Sequence, residues 1–277
     1  MAVIVVVNRK GGSGKSTLAT HLAAFLANRG LGVMLGDIDR QTSTTAWLRR
    51  RAALTPPVAA IIGRAVDPSS TLRAPRGVSH VVLDTPGGLQ GFELARIVMF
   101  ADALLMPVCH SAFDRESAAE CFAELSRHPR VASGRCKVAA IGMRIDARTK
   151  GEEALRDWAR LHGLTFLGAL RETQTYVRCV ERGVTIFDLP VARVQADLDE
   201  WKPILDWMTP LLCARATPAL AARRLPSVRP AAAETTAVAP RIASALPAST
   251  SRSALTPLRR LLKWLRPASP SSRGRGR

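Results

Sequence analysis

Two lysines five residues apart, Lys10 and Lys15, stand in the run KGGSGKST, which follows five consecutive aliphatic residues at 3–7 after Asn8 and Arg9. Glycines let the backbone turn its N–H groups inward, and a helix that starts at the end of the run adds the positive end of its dipole. That combination binds phosphate. Gly11, Gly12, Ser13 and Gly14 form the cradle, and Lys15 is placed to reach the β/γ-phosphates. The Ser16 hydroxyl, with Thr17 behind it, is placed for Mg²⁺. The strict pattern G-x-x-x-x-G-K-S/T fails at one residue, because Arg9 occupies the position of its first glycine. Two carboxylates extend the chemistry. Asp39 follows a strand-like stretch over 32–38 that includes Asp37, and Asp84 closes the run SHVVLD before Thr85-Pro86-Gly87-Gly88. An acid at the C-terminal end of a strand beside a phosphate loop sits where α/β sheets place their ligands, and Asp84 there can hold Mg²⁺ through its water shell. Asp37 is expected to be structural.

These residues need strands that end at one edge of a sheet and helices that follow them. Residues 3–7 read as a strand buried on both faces. A helix over 16–29 carries Leu18, Leu22, Phe25 and Leu26 on one face and stops at Gly30. Further strands are expected at 32–38, 79–84, 103–108, 137–143 and 165–170, with helices at 92–100, 115–127 and 151–162. Residues 44–79 give less. Trp47, Leu48 and Arg49-Arg50-Arg51 predict a helix whose arginines form a solvated end, with DNA contact as the alternative, and Pro56, Pro57, Pro68 and Pro75 break up the remainder. Trp201, Ile204, Leu205, Met208 and Leu212 fall on one helical stripe, which predicts core packing. Strands alternating with helices predict a doubly wound, mostly parallel α/β fold, and the phosphate loop makes it similar to the P-loop NTPases.

Charge divides the chain of 277 residues unevenly. Of the net +18, residues 215–277 hold 13 Lys/Arg against one acid, Glu234, while residues 1–214 hold 27 basic and 21 acidic side chains. The expected organisation is a nucleotide-binding domain at 1–214, a disordered Ala/Pro/Ser-rich linker at 215–252 and a basic tail at 253–277. In the tail, Leu258, Leu261, Leu262 and Leu265 share a face opposite Arg259, Lys263 and Arg266, a short amphipathic helix suited to an anionic membrane surface or a partner groove. A positive excess of this kind points to nucleic acid or membrane. No targeting leader is expected, and no apolar run approaches the ~18 residues a membrane span needs. The five cysteines lack C-x-x-C spacing, which predicts reduced thiols, and the five histidines are scattered without metal-ligand spacing.

The loop with its leading lysine resembles the deviant Walker A motif of the ParA/MinD family of ATPases. The resemblance implies that Lys10 reaches the partner subunit's nucleotide while Lys15 serves its own, with Asp39 positioning the attacking water and contacting Mg²⁺ through water. Asp84 is then the Walker B acid. Pro107 with residues 111–114 resembles another family turn, and residues 144–149 match a loop near the adenine, so Arg144 or Asp146 is implied in base contact. The segment 171–183 is similar to one through which short ParA proteins bind DNA, so Arg171, Arg178 and Arg182 are implied in phosphate contact. The function implied is an ATP-dependent homodimerising switch. Its ATP dimer binds non-specific DNA, a ParB-like or adaptor protein stimulates slow Mg²⁺-dependent hydrolysis, and the cycle moves a plasmid, chromosome region or protein cargo. Such a protein is expected in the cytoplasm, on the nucleoid. The alternative is a MinD-like spatial regulator held at the membrane by residues 253–266. Metabolic amidases and synthetases of the superfamily are disfavoured by Lys10.

Overall fold

A computed structural model describes residues 1–213 apart from Arg40 and Ala147, and the side chains up to Pro210. The linker and basic tail expected at 215–277 lie outside the described residues. Seven strands form one parallel sheet: β1 (Ala2–Val6), β2 (Val33–Asp37), β3 (Ile62–Ala65), β4 (His80–Asp84), β5 (Ala103–Val108), β6 (Lys137–Ile145) and β7 (Thr165–Arg171), in the order β3-β2-β4-β1-β5-β6-β7. The helices are α1 (Lys15–Asn28), α2 (Ser43–Ala52), α3 (Gly91–Val98), α4 (Ala112–Ser126), a single turn α5 (Pro129–Ala132), α6 (Gly151–Leu161), α7 (Gln174–Arg182) and α8 (Val191–Cys213). The doubly wound parallel fold expected from the alternation is present.

Every residue of β1, β2 and β4 is buried, because helices cover both faces of a parallel sheet. On one face, Leu18, Leu22 and Leu26 of α1 pack with Trp47 of α2 and with Trp201, Ile204 and Met208 of α8. On the other, Leu94 and Ile97 of α3 pack with Cys121 and Leu125 of α4 and Leu155 of α6. The expected stripe on α8 is core at 201, 204 and 208, with Leu205 partly buried against it, and the side chain of Leu212 lies outside those described. Gly30 takes φ 76 after α1, as expected of a helix stop. The register sets Val6 of β1 and Asp37 of β2 level with Asp84 of β4. The chemistry-bearing ends of three neighbouring strands thus reach the same height.

Two expectations are corrected. Residues 62–65 form an edge strand paired to β2 alone, and all four are exposed, so no burial pattern marked it. The triple arginine is not a solvated end throughout: Arg51 is 4% exposed and forks onto the buried Asp188 carboxylate at 2.8 and 3.0 Å. It also donates to the carbonyls of Ala59 and Gly183 and lies over the Trp47 ring. Arg49 and Arg50 remain exposed. The four described cysteines are free thiols, and among the described residues no helix is long and apolar enough to cross a membrane.

Candidate nucleotide site

The loop between β1 and α1 has the backbone its glycines were read to allow. Gly12 and Gly14 adopt φ 75 and 94, a conformation L side chains avoid, and Gly14 caps α1 without any side-chain acceptor. The first amides of α1 therefore face the loop rather than a capping group. Asn8, fully buried where β1 ends, splints the entrance: its Oδ1 accepts the Lys10 N–H at 3.0 Å and its Nδ2 donates to the Pro107 carbonyl at 2.7 Å. The Pro107 turn singled out in the sequence thereby supports the phosphate loop.

The two lysines sit in opposite environments. Lys10 is exposed, whereas Lys15 is 7% exposed and donates from Nζ to the Lys10 carbonyl at 3.0 Å. Burial draws the Lys15 pKa down, while the nearby Asp84 and Asp39 carboxylates draw it back up. The structure thus gathers Lys15, Asp39 and Asp84 into one electrostatic neighbourhood. Asp84 is fully buried, and burial pushes its pKa to about 7, with Asp37 and Asp39 adding to the rise and the Ser16 hydroxyl and Lys15 opposing it. Neither Asp84 oxygen, nor the buried Ser13 hydroxyl, makes a hydrogen bond of ordinary geometry among the described residues. A buried carboxylate left in this way beside a serine hydroxyl fits a hard cation with oxygen ligands, and Mg²⁺ typically takes only one or two carboxylates beside phosphate and water. Ser16, Asp39 and Asp84 are the side chains that would hold Mg²⁺.

Asp39 is partly exposed, and its Oδ1 accepts the Gln41 N–H at 2.9 Å. Asp37 does structural work: its Oδ2 accepts the N–H and the hydroxyl of Thr45, each at 3.1 Å, and so holds the start of α2. A cavity of about 290 Å³ opens beside the loop, lined among others by Gly14, Thr17, Met143, Arg144, Leu170 and Tyr176. Arg144 lines it, while Asp146 is engaged with Arg148 at 2.8 Å.

The arginines of the 171–183 segment separate. Arg171 ends β7 and bonds the buried Asp197 at 2.9 and 3.1 Å, so its charge is matched within the domain. Arg178 and Arg182 are exposed on α7. Sequence reasoning passed over Asn8 and Glu124, the latter an acid on α4 that meets Arg9. Asn8 carried a signal in its place between strand and loop, but Glu124 lies 115 residues from its partner.

Residues 4–186 match the family described as the CobQ/CobB/MinD/ParA nucleotide binding domain. The chain is 31% identical over 188 residues to "Maintenance of carboxysome distribution protein A" of Gloeobacter kilaueensis, an alignment covering 66% of this chain and 83% of the relative. It is 28% identical over 212 residues to the protein of the same name from Halothiobacillus neapolitanus, covering 75% and 96%. Among solved structures, the ATP complex of Cyanothece McdA superposes with TM-score 0.57 at 15% identity, covering 76% of this chain and 96% of that one. MinD in the MinC:MinD complex of Aquifex aeolicus gives TM-score 0.56 at 18% identity, covering 74% and 96%. The structural likenesses speak for the fold. With the lysine-led phosphate loop, the level strand-end acids and a family match across about two thirds of its length, the chain belongs to the ParA/MinD family of nucleotide-binding ATPases.

Proposed function

We propose that this chain is an ATP-dependent dimerising switch that positions a cargo, with Mg²⁺-dependent hydrolysis ending each bound state. The observation that carries the reading is the contrast between the two lysines. Lys15 is buried beside Asp84 and tied to the loop, so it serves the chain's own triphosphate. Lys10 is exposed at the loop's front, with its backbone held by Asn8, and can reach a nucleotide bound by a second copy. A lysine on each protomer that completes the other's site makes nucleotide loading and dimerisation one event. Asp39 orients the attacking water, and Mg²⁺, when bound at Ser16 and Asp84, offsets charge on the phosphates. The dimer then binds DNA without sequence preference through exposed Arg178 and Arg182, while Arg171 ties the end of β7 to α8 through Asp197.

The relatives named for carboxysome distribution support a protein assembly as cargo, and "Chromosome-partitioning ATPase Soj" of Thermus thermophilus, 30% identical over 151 residues, supports DNA. An adaptor or ParB-like protein would stimulate hydrolysis in either case. The test is sedimentation of the full chain with ATP and Mg²⁺. The parent and Asp39→Ala should dimerise, the latter persistently; Lys15→Ala should stay monomeric; Lys10→Ala should bind nucleotide without dimerising. An Asp39→Ala protein that hydrolyses ATP at the parental rate would remove that residue from its role. Deleting residues 253–277 decides the membrane reading: loss of vesicle binding with DNA binding retained would favour a MinD-like regulator.

A further inference from the structure

The position at which the strict phosphate-loop pattern has glycine carries a side chain here, and that side chain leaves the loop for another element. The Arg9 guanidinium bonds Glu124 of α4 and, at 3.3 Å, Glu120. The other oxygen of Glu124, Oε1, accepts the N–H of Gly91, the first residue of α3, at 2.6 Å. Meanwhile the Arg9 carbonyl accepts the Gly88 N–H at 2.7 Å. One residue thus grips the loop behind Asp84 twice, at 88 through its main chain and at 91 through Glu124. Between those grips Gly87 lies so close to the phosphate loop that a Cβ on it would stand 3.3 Å from the Gly11 Cα.

Shelter separates the two acids. The Arg9 and Glu124 side chains are 21% and 29% exposed, whereas that of Glu120 is 72% exposed. Charge-assisted bonds in partial shelter hold geometry better than solvated ones, so Glu124 is the effective partner and Glu120 a bystander. A glycine at position 9 could make the main-chain grip but not the second one.

We propose that Arg9 and Glu124 are positioning residues for the hydrolysis described above, fixing the 85–91 turn against the phosphate loop so that it meets the end of a bound triphosphate in one arrangement. Neither residue touches the nucleotide. The cradle and Lys15, which bind ATP, are left intact when the pair is broken, while the turn facing the reacting phosphate loosens. The pair therefore governs turnover rather than affinity.

The experiment uses the full chain and two readouts: steady-state ATP hydrolysis with Mg²⁺, and hydrogen exchange of the amides in 85–91 without nucleotide. Arg9→Ala and Glu124→Ala should each lower kcat about fivefold or more with KM kept within about twofold. The double variant should lose no more than the worse single, because both belong to one clasp. Exchange at Gly91 should quicken by about tenfold in Glu124→Ala. Arg9→Lys and Glu124→Gln, which keep a donor and an acceptor respectively, should recover part of the loss and carry the comparison if the alanine variants fail to fold. Glu120→Ala should match the parent. Parental kcat together with unchanged exchange overturns the proposal, and so do single losses that multiply in the double. If the parent hydrolyses no ATP, the hydrolysis reading falls, and the exchange data alone then decide whether the clasp exists.

Discussion

His21 supplies a quantitative prediction. Its ring is wholly buried on α1, with Nδ1 at 2.8 Å from the Thr17 carbonyl, which assigns the proton to that nitrogen. Tyr176 stands edge-on at 5.2 Å and Trp201 stacks at 5.8 Å. Burial pulls the imidazole from its ordinary 6.5 to about 4, against the opposing pull of the Thr17 carbonyl. As pH falls below 6.5 the unfolded chain takes up a proton that the folded protein refuses until about 4, so folding stability falls across that window. At about 1.36 kcal/mol per pH unit, the window is worth about 3 kcal/mol. His21→Phe removes the titrating group and keeps an aromatic ring among the others. Urea unfolding of parent and variant without nucleotide, followed across this window, should give a stability difference, parent minus variant, that is about 3 kcal/mol more favourable at neutral pH than at its acid end. Taking the difference removes every group the two proteins share, including Asp84, whose raised pKa works in the opposite direction. A difference that stays flat would refute the claim that this imidazole is folded away uncharged.

Other outcomes follow from the same geometry. Asp84 is held up at about 7 from 3.8, so its favourable contribution is present at acid pH and lost as pH rises through neutrality; Asp84→Asn should stabilise the nucleotide-free protein at neutral pH by up to about 4 kcal/mol, and by little near pH 3.8. The same variant should no longer gain thermal stability from ATP with Mg²⁺. Arg51→Ala leaves the buried Asp188 carboxylate without its main partner and should cost about 3–5 kcal/mol in an unfolding titration. Arg51→Met with Asp188→Leu should cost far less than the two single changes added. Gly183→Ala forces a side chain at φ 72 with its Cβ 2.5 Å from the Arg51 amide nitrogen, and should cost at least about 2 kcal/mol by the same measurement.

What could be read from the sequence was what lies contiguous in it. The strands at 2–6 and 103–108 are sandwiched between helices, so they are unbroken apolar runs, and the one at 80–84 has the apolar centre Val81-Val82-Leu83. The phosphate loop was legible for a similar reason, because one octapeptide builds the cradle and both lysines. β3 was illegible: with one neighbour and no buried side chain, Ile62-Gly63-Arg64-Ala65 had no pattern to display. The ion pairs were hidden by distance along the chain. Nothing near Arg51 announces Asp188, and nothing near Arg171 announces Asp197, so both arginines looked available to solvent or DNA. His21 looked incidental because its neighbours Tyr176, Phe187 and Trp201 come from the far end of the domain.

The pairing of Arg51 with a residue 137 positions later also orders events on the ribosome. Translation at about 5–20 residues per second puts on the order of ten seconds between the appearance of the arginine and that of its carboxylate. Throughout that interval the nascent chain holds its entire phosphate loop, yet Arg51 lacks its carboxylate and Trp47 lacks the part of its packing that α8 supplies. The N-terminal half of this protein is therefore finished by its C-terminal half, and a chain ending before residue 188 would leave the Arg51 guanidinium without its buried partner.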